Sequence, residues 1–86
     1  MDFKVFTDYV EKKLYRVRDI SVKVKRGLGF INITLYHEGR KTTIYVRKYQ
    51  YKALVQILKS KQEHNIMLEA FEYWLVESAI DFKYSK

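Results

Sequence analysis

Apolar residues recur along this chain with two different periods. Phe3, Phe6, Val10, Leu14 and Val17 are spaced by three or four, which places them on one face of a helix. Lys4, Asp8, Glu11, Lys12 and Lys13 fall largely elsewhere and are expected to meet water. The spacing predicts a helix from about Phe3 to Arg16. Asp2 is its expected N-cap, because a carboxylate accepts from the free N–H groups of a first turn. At Ile20 the period drops to two. Ile20, Val22 and Val24 alternate with Ser21, Lys23 and Lys25, as in a half-buried strand. Ile31, Ile33 and Leu35 alternate with Phe30, Asn32, Thr34 and Tyr36, and Ile44 and Val46 alternate with Thr43, Tyr45 and Arg47. Arg26-Gly27-Leu28-Gly29 and Glu38-Gly39-Arg40 are turn sequences, since glycine reaches positive φ without steric cost. Short turns between consecutive strands imply an antiparallel meander.

From Tyr49 the helical period returns. Tyr51, Leu54, Val55 and Leu58 form a stripe that Ala53 and Ile57 widen, with Lys52, Gln56, Lys59 and Ser60 outside it. A break is expected near Glu63-His64-Asn65, with Asn65 capping a last helix from about Ile66 to Phe82. Met67, Leu68, Phe71, Trp74, Leu75 and Ala79, together with Ile66, Ala70, Tyr73, Val76 and Ile80, make that helix apolar around most of its circumference. Such a helix is central to a core or half in an interface. The tail Tyr84-Ser85-Lys86 is expected to fray. The order α-β-β-β-α-α predicts an α+β fold, a three-stranded antiparallel sheet packed by three helices, in a single domain over residues 1–86.

Composition narrows the function class by exclusion. With 86 residues the chain is the size of one domain. Hydrophobic residues make up 48%, a globular proportion. The absence of cysteine excludes disulfide frameworks, thiolate zinc sites and cysteine nucleophiles. The absence of proline removes cis-proline hinges and polyproline linkers. No apolar run approaches the ~20 residues of a membrane span, and Met1-Asp2-Phe3-Lys4 lacks a signal-peptide core, so a cytoplasmic protein without membrane contact is expected.

Charge is distributed unevenly. The net charge is +7, but residues 1–63 hold 15 basic and 6 acidic side chains, whereas residues 64–82 hold Glu69, Glu72, Glu77 and Asp81 and no Lys or Arg. Such asymmetry indicates a polarised molecule with a basic working surface. The segment from Lys23 to Lys52 is the most one-sided. Lys23, Lys25, Arg26, Arg40, Lys41, Arg47, Lys48 and Lys52 are opposed there only by Glu38. These eight are the candidate phosphate contacts. Alternation places Lys23, Lys25, Phe30, Asn32, Thr34, Tyr36, Tyr45 and Arg47 on one sheet face. Cations there can neutralise phosphates, and Phe30, Tyr36 and Tyr45 can stack on unpaired bases. The competing and favoured expectation is that these rings pack beneath a helix, three helices being enough to cover both faces. The basic turns can likewise grip phosphates, although solvated hairpin tips are the favoured reading, and Gly-x-Gly here lacks the strand-turn-helix context of a phosphate loop.

Catalysis has little to draw on. His37 and His64 lie on different elements, with neither a thiol nor a paired-histidine spacing, so no metal or cofactor is expected. His37, Arg40, Tyr45 and Arg47 are the residue types of a metal-independent ribonuclease, the class of small basic bacterial toxins, but their residue pattern is not found here. Glu69 and Glu72 read as solvated helix positions rather than paired catalytic carboxylates. In the last helix Phe71, Trp74 and Leu75 are expected in the core. The surplus flank of Tyr73, Val76 and Ile80 is a candidate interface, for a partner protein or a homodimer.

Two resemblances follow from element order. The α-β-β-β-α run over residues 3–61 resembles the double-stranded-RNA-binding domain, whose basic helix start is matched loosely by Arg47-Lys48-Tyr49-Gln50-Tyr51-Lys52; the Gly and Ala spacing expected around it is absent. The full order and length resemble a small phage-encoded anti-CRISPR inhibitor of type II-A Cas nucleases. That inhibitor is strongly acidic and imitates DNA, whereas this chain carries +7. The resemblance therefore implies an inhibitor that grips an acidic surface, or the nucleic acid of a nucleoprotein. Taken together, the sequence reads as a small basic non-enzymatic binding protein of the phage, virus or mobile-element type, engaging nucleic acid or a nucleoprotein. The alternatives are a protein-binding inhibitor or adaptor and, outside these, the ribonuclease. Localisation follows as intracellular, in an infected host cell where the source is viral.

Overall fold

The computed structural model describes residues 2–62 and 64–85. Of the expected break at Glu63-His64-Asn65 and tail Tyr84-Ser85-Lys86, Glu63 and Lys86 lie outside the described residues. The elements are α1 (Asp2–Leu14), β1 (Ser21–Arg26), β2 (Phe30–His37), β3 (Arg40–Arg47), α2 (Lys48–Lys59) and α3 (Ile66–Tyr84). The fold is α+β with the expected order.

The strands pair in the order β1-β2-β3, antiparallel throughout. Glu38 and Gly39 at the β2–β3 turn have φ of 49° and 78°. Positive φ at both central residues is what a two-residue type I′ hairpin requires. The β1–β2 turn closes through the Gly27 N–H, which donates to the Phe30 carbonyl over 2.8 Å. Gly27 also leaves room for Asn32, whose Nδ2 lies 3.1 Å from where a Cβ would stand.

Strand β2 organises the core. Its side chains alternate strictly between two environments, with Ile31, Ile33, Leu35 and His37 buried. Val22 and Val24 of β1 and Ile44 and Val46 of β3 join them on that face by register. Phe6, Val10 and Leu14 of α1, Leu54 and Val55 of α2, and Leu68, Leu75 and Ala79 of α3 complete the cluster. All three helices therefore lie on one side of the sheet. Phe71 ties α3 to α1, its ring centroid 5.9 Å from Phe6 and 6.4 Å from Tyr9.

Several local expectations are corrected. Asp2 is the first helical residue rather than a cap, and its carboxylate pairs with Lys59 Nζ at 3.1 Å. Helix α1 stops at Leu14, not Arg16. Val17 is still buried, because its N–H donates to the Leu14 carbonyl over 2.9 Å and folds the chain back under the helix. Lys13 is not solvated. It meets the Glu72 carboxylate at 3.1 Å, while Arg16 meets the other carboxylate oxygen at 3.4 Å, so Glu72 fastens α3 to α1 instead of facing water. Helix α2 ends at Lys59, earlier than the expected break. Lys61, at φ 56°, donates to the Leu58 carbonyl and Gln62 to that of Ile57, the double bond of a Schellman cap with lysine where glycine is usual. Asn65 does cap α3, its Oδ1 accepting from the Leu68 N–H at 3.2 Å.

Candidate nucleic-acid interface

The register that sends Ile31, Ile33 and Leu35 into the core sends Phe30, Asn32, Thr34 and Tyr36 to the other face, where no helix lies. Reading across the strands, Ser21 faces Tyr36, which faces Lys41; Lys23 faces Thr34, which faces Thr43; Lys25 faces Asn32, which faces Tyr45; and Phe30 faces Arg47. The favoured expectation, that Phe30, Tyr36 and Tyr45 pack beneath a helix, is overturned. They are 40%, 38% and 60% exposed. The physical reason is that the three helices are spent on one face, stacking on each other as well as on the sheet.

The rings and cations are arranged, not scattered. Phe30 and Tyr45 are diagonal neighbours that meet edge to face, with centroids 5.9 Å apart at 74°. Thr34 and Thr43 share a hydrogen bond of 3.2 Å between hydroxyls at the centre. Lys23 and Lys25 flank the rings along β1, and Lys41 and Arg47 flank them along β3. No Asp or Glu occupies the face. None of these four cations has an ion-pair partner among the described residues, so their charge is available to a ligand.

The other four candidate cations divide. Arg26 and Arg40 have the opposite parity and sit on the helix side. Arg26 lies over the Phe3 ring at 4.6 Å. Arg40 lies over Phe82 at 5.1 Å and donates to Ser85 Oγ at 3.2 Å and to the carbonyls of Phe82 and Lys83 at 3.4 Å each. It therefore holds the end of α3, where helix carbonyls lack intrahelical partners. Lys48 and Lys52 are exposed on the first turns of α2. The Lys48 N–H donates to the Gly29 carbonyl over 3.3 Å, which places this helix start beside the Phe30–Arg47 end of the sheet.

The ribonuclease constellation does not assemble. His37 is buried, with Nδ1 2.8 Å from the Asp19 carbonyl, and with Arg40 it lies on the helix side. Tyr45 and Arg47 lie on the open face, and Arg40 to Tyr45 spans about 17 Å of strand. Glu69 and Glu72 do not pair either: Glu69 approaches His64 at 3.9 Å while Glu72 serves Lys13 and Arg16. No cluster of His, Asp or Glu able to hold a metal is found among the described residues.

Helix α3 carries what the sequence reading missed. Trp74, one of the three expected core residues of this helix, is 42% exposed, and Met67 beside it is 46% exposed. An all-apolar helix gives no sign of which side is covered, and only Leu68, Leu75 and Ala79 are buried here. Trp74, Met67 and Gln50 line a groove that reaches Tyr45 at the sheet edge. On the interface flank, Val76 and Ile80 are half-buried against the core and Tyr73 is exposed. Tyr9, beneath α3, has its hydroxyl pushed up to about 12 by burial, with the Glu72 carboxylate adding to the effect. No helix among the described residues is long and apolar enough to cross a membrane. No family model, curated protein or solved structure matches the chain.

Proposed function

We propose that this chain is a binding protein, not an enzyme, and that it holds single-stranded nucleic acid, free or within a nucleoprotein, on the open face of its sheet. One observation carries the reading. Among the described residues, three exposed rings and four cations without an ion-pair partner share a face with no carboxylate and no covering helix. Rings stack on any unpaired base, and cations on both flanks meet the phosphates on either side. A duplex keeps its bases stacked and offers these rings nothing, so the arrangement favours single strands.

The test is fluorescence anisotropy with labelled single- and double-stranded DNA and RNA across a salt series. Four phosphate contacts to a single strand give a slope of log affinity against log salt of about −3. Affinity of ~100 μM or weaker for every nucleic acid near physiological salt is merely generic and removes the reading. A protein partner is then the second reading, including an inhibitor or adaptor of the anti-CRISPR kind. The exposed Tyr73 beside Val76 and Ile80 on α3 favours it, and the same flank serves a homodimer.

A further inference from the structure

The groove between α3 and the β3 edge differs in chemistry from the face it adjoins. It is bounded by the rings of Tyr45, Phe71 and Trp74, the thioether of Met67 and the amide of Gln50, and none of the lining residues is charged. Phe71 and Trp74 are in contact, with centroids 5.7 Å apart at 40°, and Trp74 remains 42% exposed. Gln50 is oriented: its Oε1 accepts from the Arg47 N–H at 3.3 Å. That bond leaves the NH2 end as a donor with no partner among the described residues. The volume, about 330 Å³, is at the small end of ligand sites.

We propose that this groove takes one splayed-out nucleobase of the strand that crosses the sheet, an inference that rests on the reading of that face as a single-strand surface. Three features select this occupant. Tyr45 belongs to both surfaces, so a strand stacked on Tyr45 at the edge of the sheet has its next base at the groove mouth. Arg47 and Lys48 follow the lining residue Val46 in sequence and are exposed, which puts positive charge close to an uncharged interior. A nucleotide has the matching division, with anionic phosphate outside and a neutral flat ring inside. The ring's faces need apolar and aromatic walls, and its edge needs a donor for a ring nitrogen or carbonyl, which the Gln50 amide supplies.

Trp74 is the chain's only tryptophan, so its fluorescence reports on the groove alone. Anisotropy of a labelled short oligothymidylate reads the sheet face in the same titration. An abasic strand of equal length supplies phosphates without bases, and Ala70→Leu places bulk in the groove at little cost to the helix. The expected result has four parts. The oligothymidylate binds and quenches Trp74; the abasic strand leaves Trp74 unquenched; Ala70→Leu weakens affinity about fivefold or more; and that variant leaves the salt slope unchanged. Binding with Trp74 unaffected, or with equal quenching in Ala70→Leu, overturns the groove and spares the sheet. No binding at all overturns both.

Discussion

Phe30 and Tyr45 lock edge to face on the bare side of the sheet, one on the central strand and one on the edge strand. Neither ring is needed to bury the core, and their contact holds both at fixed angles facing solvent. Phe30→Ala and Tyr45→Ala should each weaken single-strand binding by about 5- to 150-fold, the range for one lost base stack of about 1–3 kcal/mol. Each should cost at least about 0.5–1.5 kcal/mol of folding stability, the worth of the aromatic pair beyond the area it buries. Anisotropy and urea unfolding on the same variants check both numbers.

The cations should divide by sheet face. Lys23→Gln and Lys41→Gln should each shallow the salt slope by about 0.7, one phosphate contact on a single strand. Arg40→Gln should leave the slope unchanged and lower stability by roughly 1–2 kcal/mol, because the α3 carbonyls it serves lose a charged donor. Equal slopes for all three variants would show that the face is not where phosphates lie.

Alkaline stability should report on Tyr9. Its folded pKa is raised from 10.0 to about 12, so the folded state keeps the hydroxyl proton that the unfolded chain gives up. This contribution is fully present below pH 10 and is lost as pH rises from there through about 12. Tyr9→Phe should therefore lose less stability than the parent across that window, measured by urea unfolding at stepped pH. At neutral pH the substitution should be close to neutral, because the buried Tyr9 hydroxyl has no partner at good hydrogen-bond geometry among the described residues and the Glu72 carboxylate near it keeps its ion pairs with Lys13 and Arg16.

Lys61→Gly should raise stability by about 0.5–1 kcal/mol, since glycine holds the left-handed conformation of this cap without a Cβ penalty. Thermal unfolding should show a rise of a few degrees.

The same residue shows what the sequence concealed. Where backbone chemistry marks an element's end, it was legible: Asn65 announces α3, and Glu38-Gly39 announces the hairpin. Lys61 and Asp19 take up left-handed backbone without being glycine, so the ends of α2 and of the α1–β1 loop carry no signature. Val17 keeps the helical spacing although it lies beyond α1, because burial alone sets the pattern.

The candidate face was half legible. Alternation assigned Lys23, Lys25, Phe30, Tyr36, Tyr45 and Arg47 to one side. It could not say that this side is bare, since Phe30 and Tyr45 are as apolar as residues of the core. Arg26 and Arg40 are basic and close in sequence, yet one step of parity puts them across the sheet. The groove at Trp74 was hidden because an apolar helix reads the same whether a neighbour covers it or not.

A bare face with rings invites a second copy to stack on it, and sheets that do so aggregate. Here Lys23, Lys25, Lys41 and Arg47 make any such encounter one of like charges, with no carboxylate on either side to relieve it. The repulsion is conditional. A polyanion that neutralises the four charges also removes what keeps two faces apart, so solubility and occupancy of this surface are governed by the same side chains.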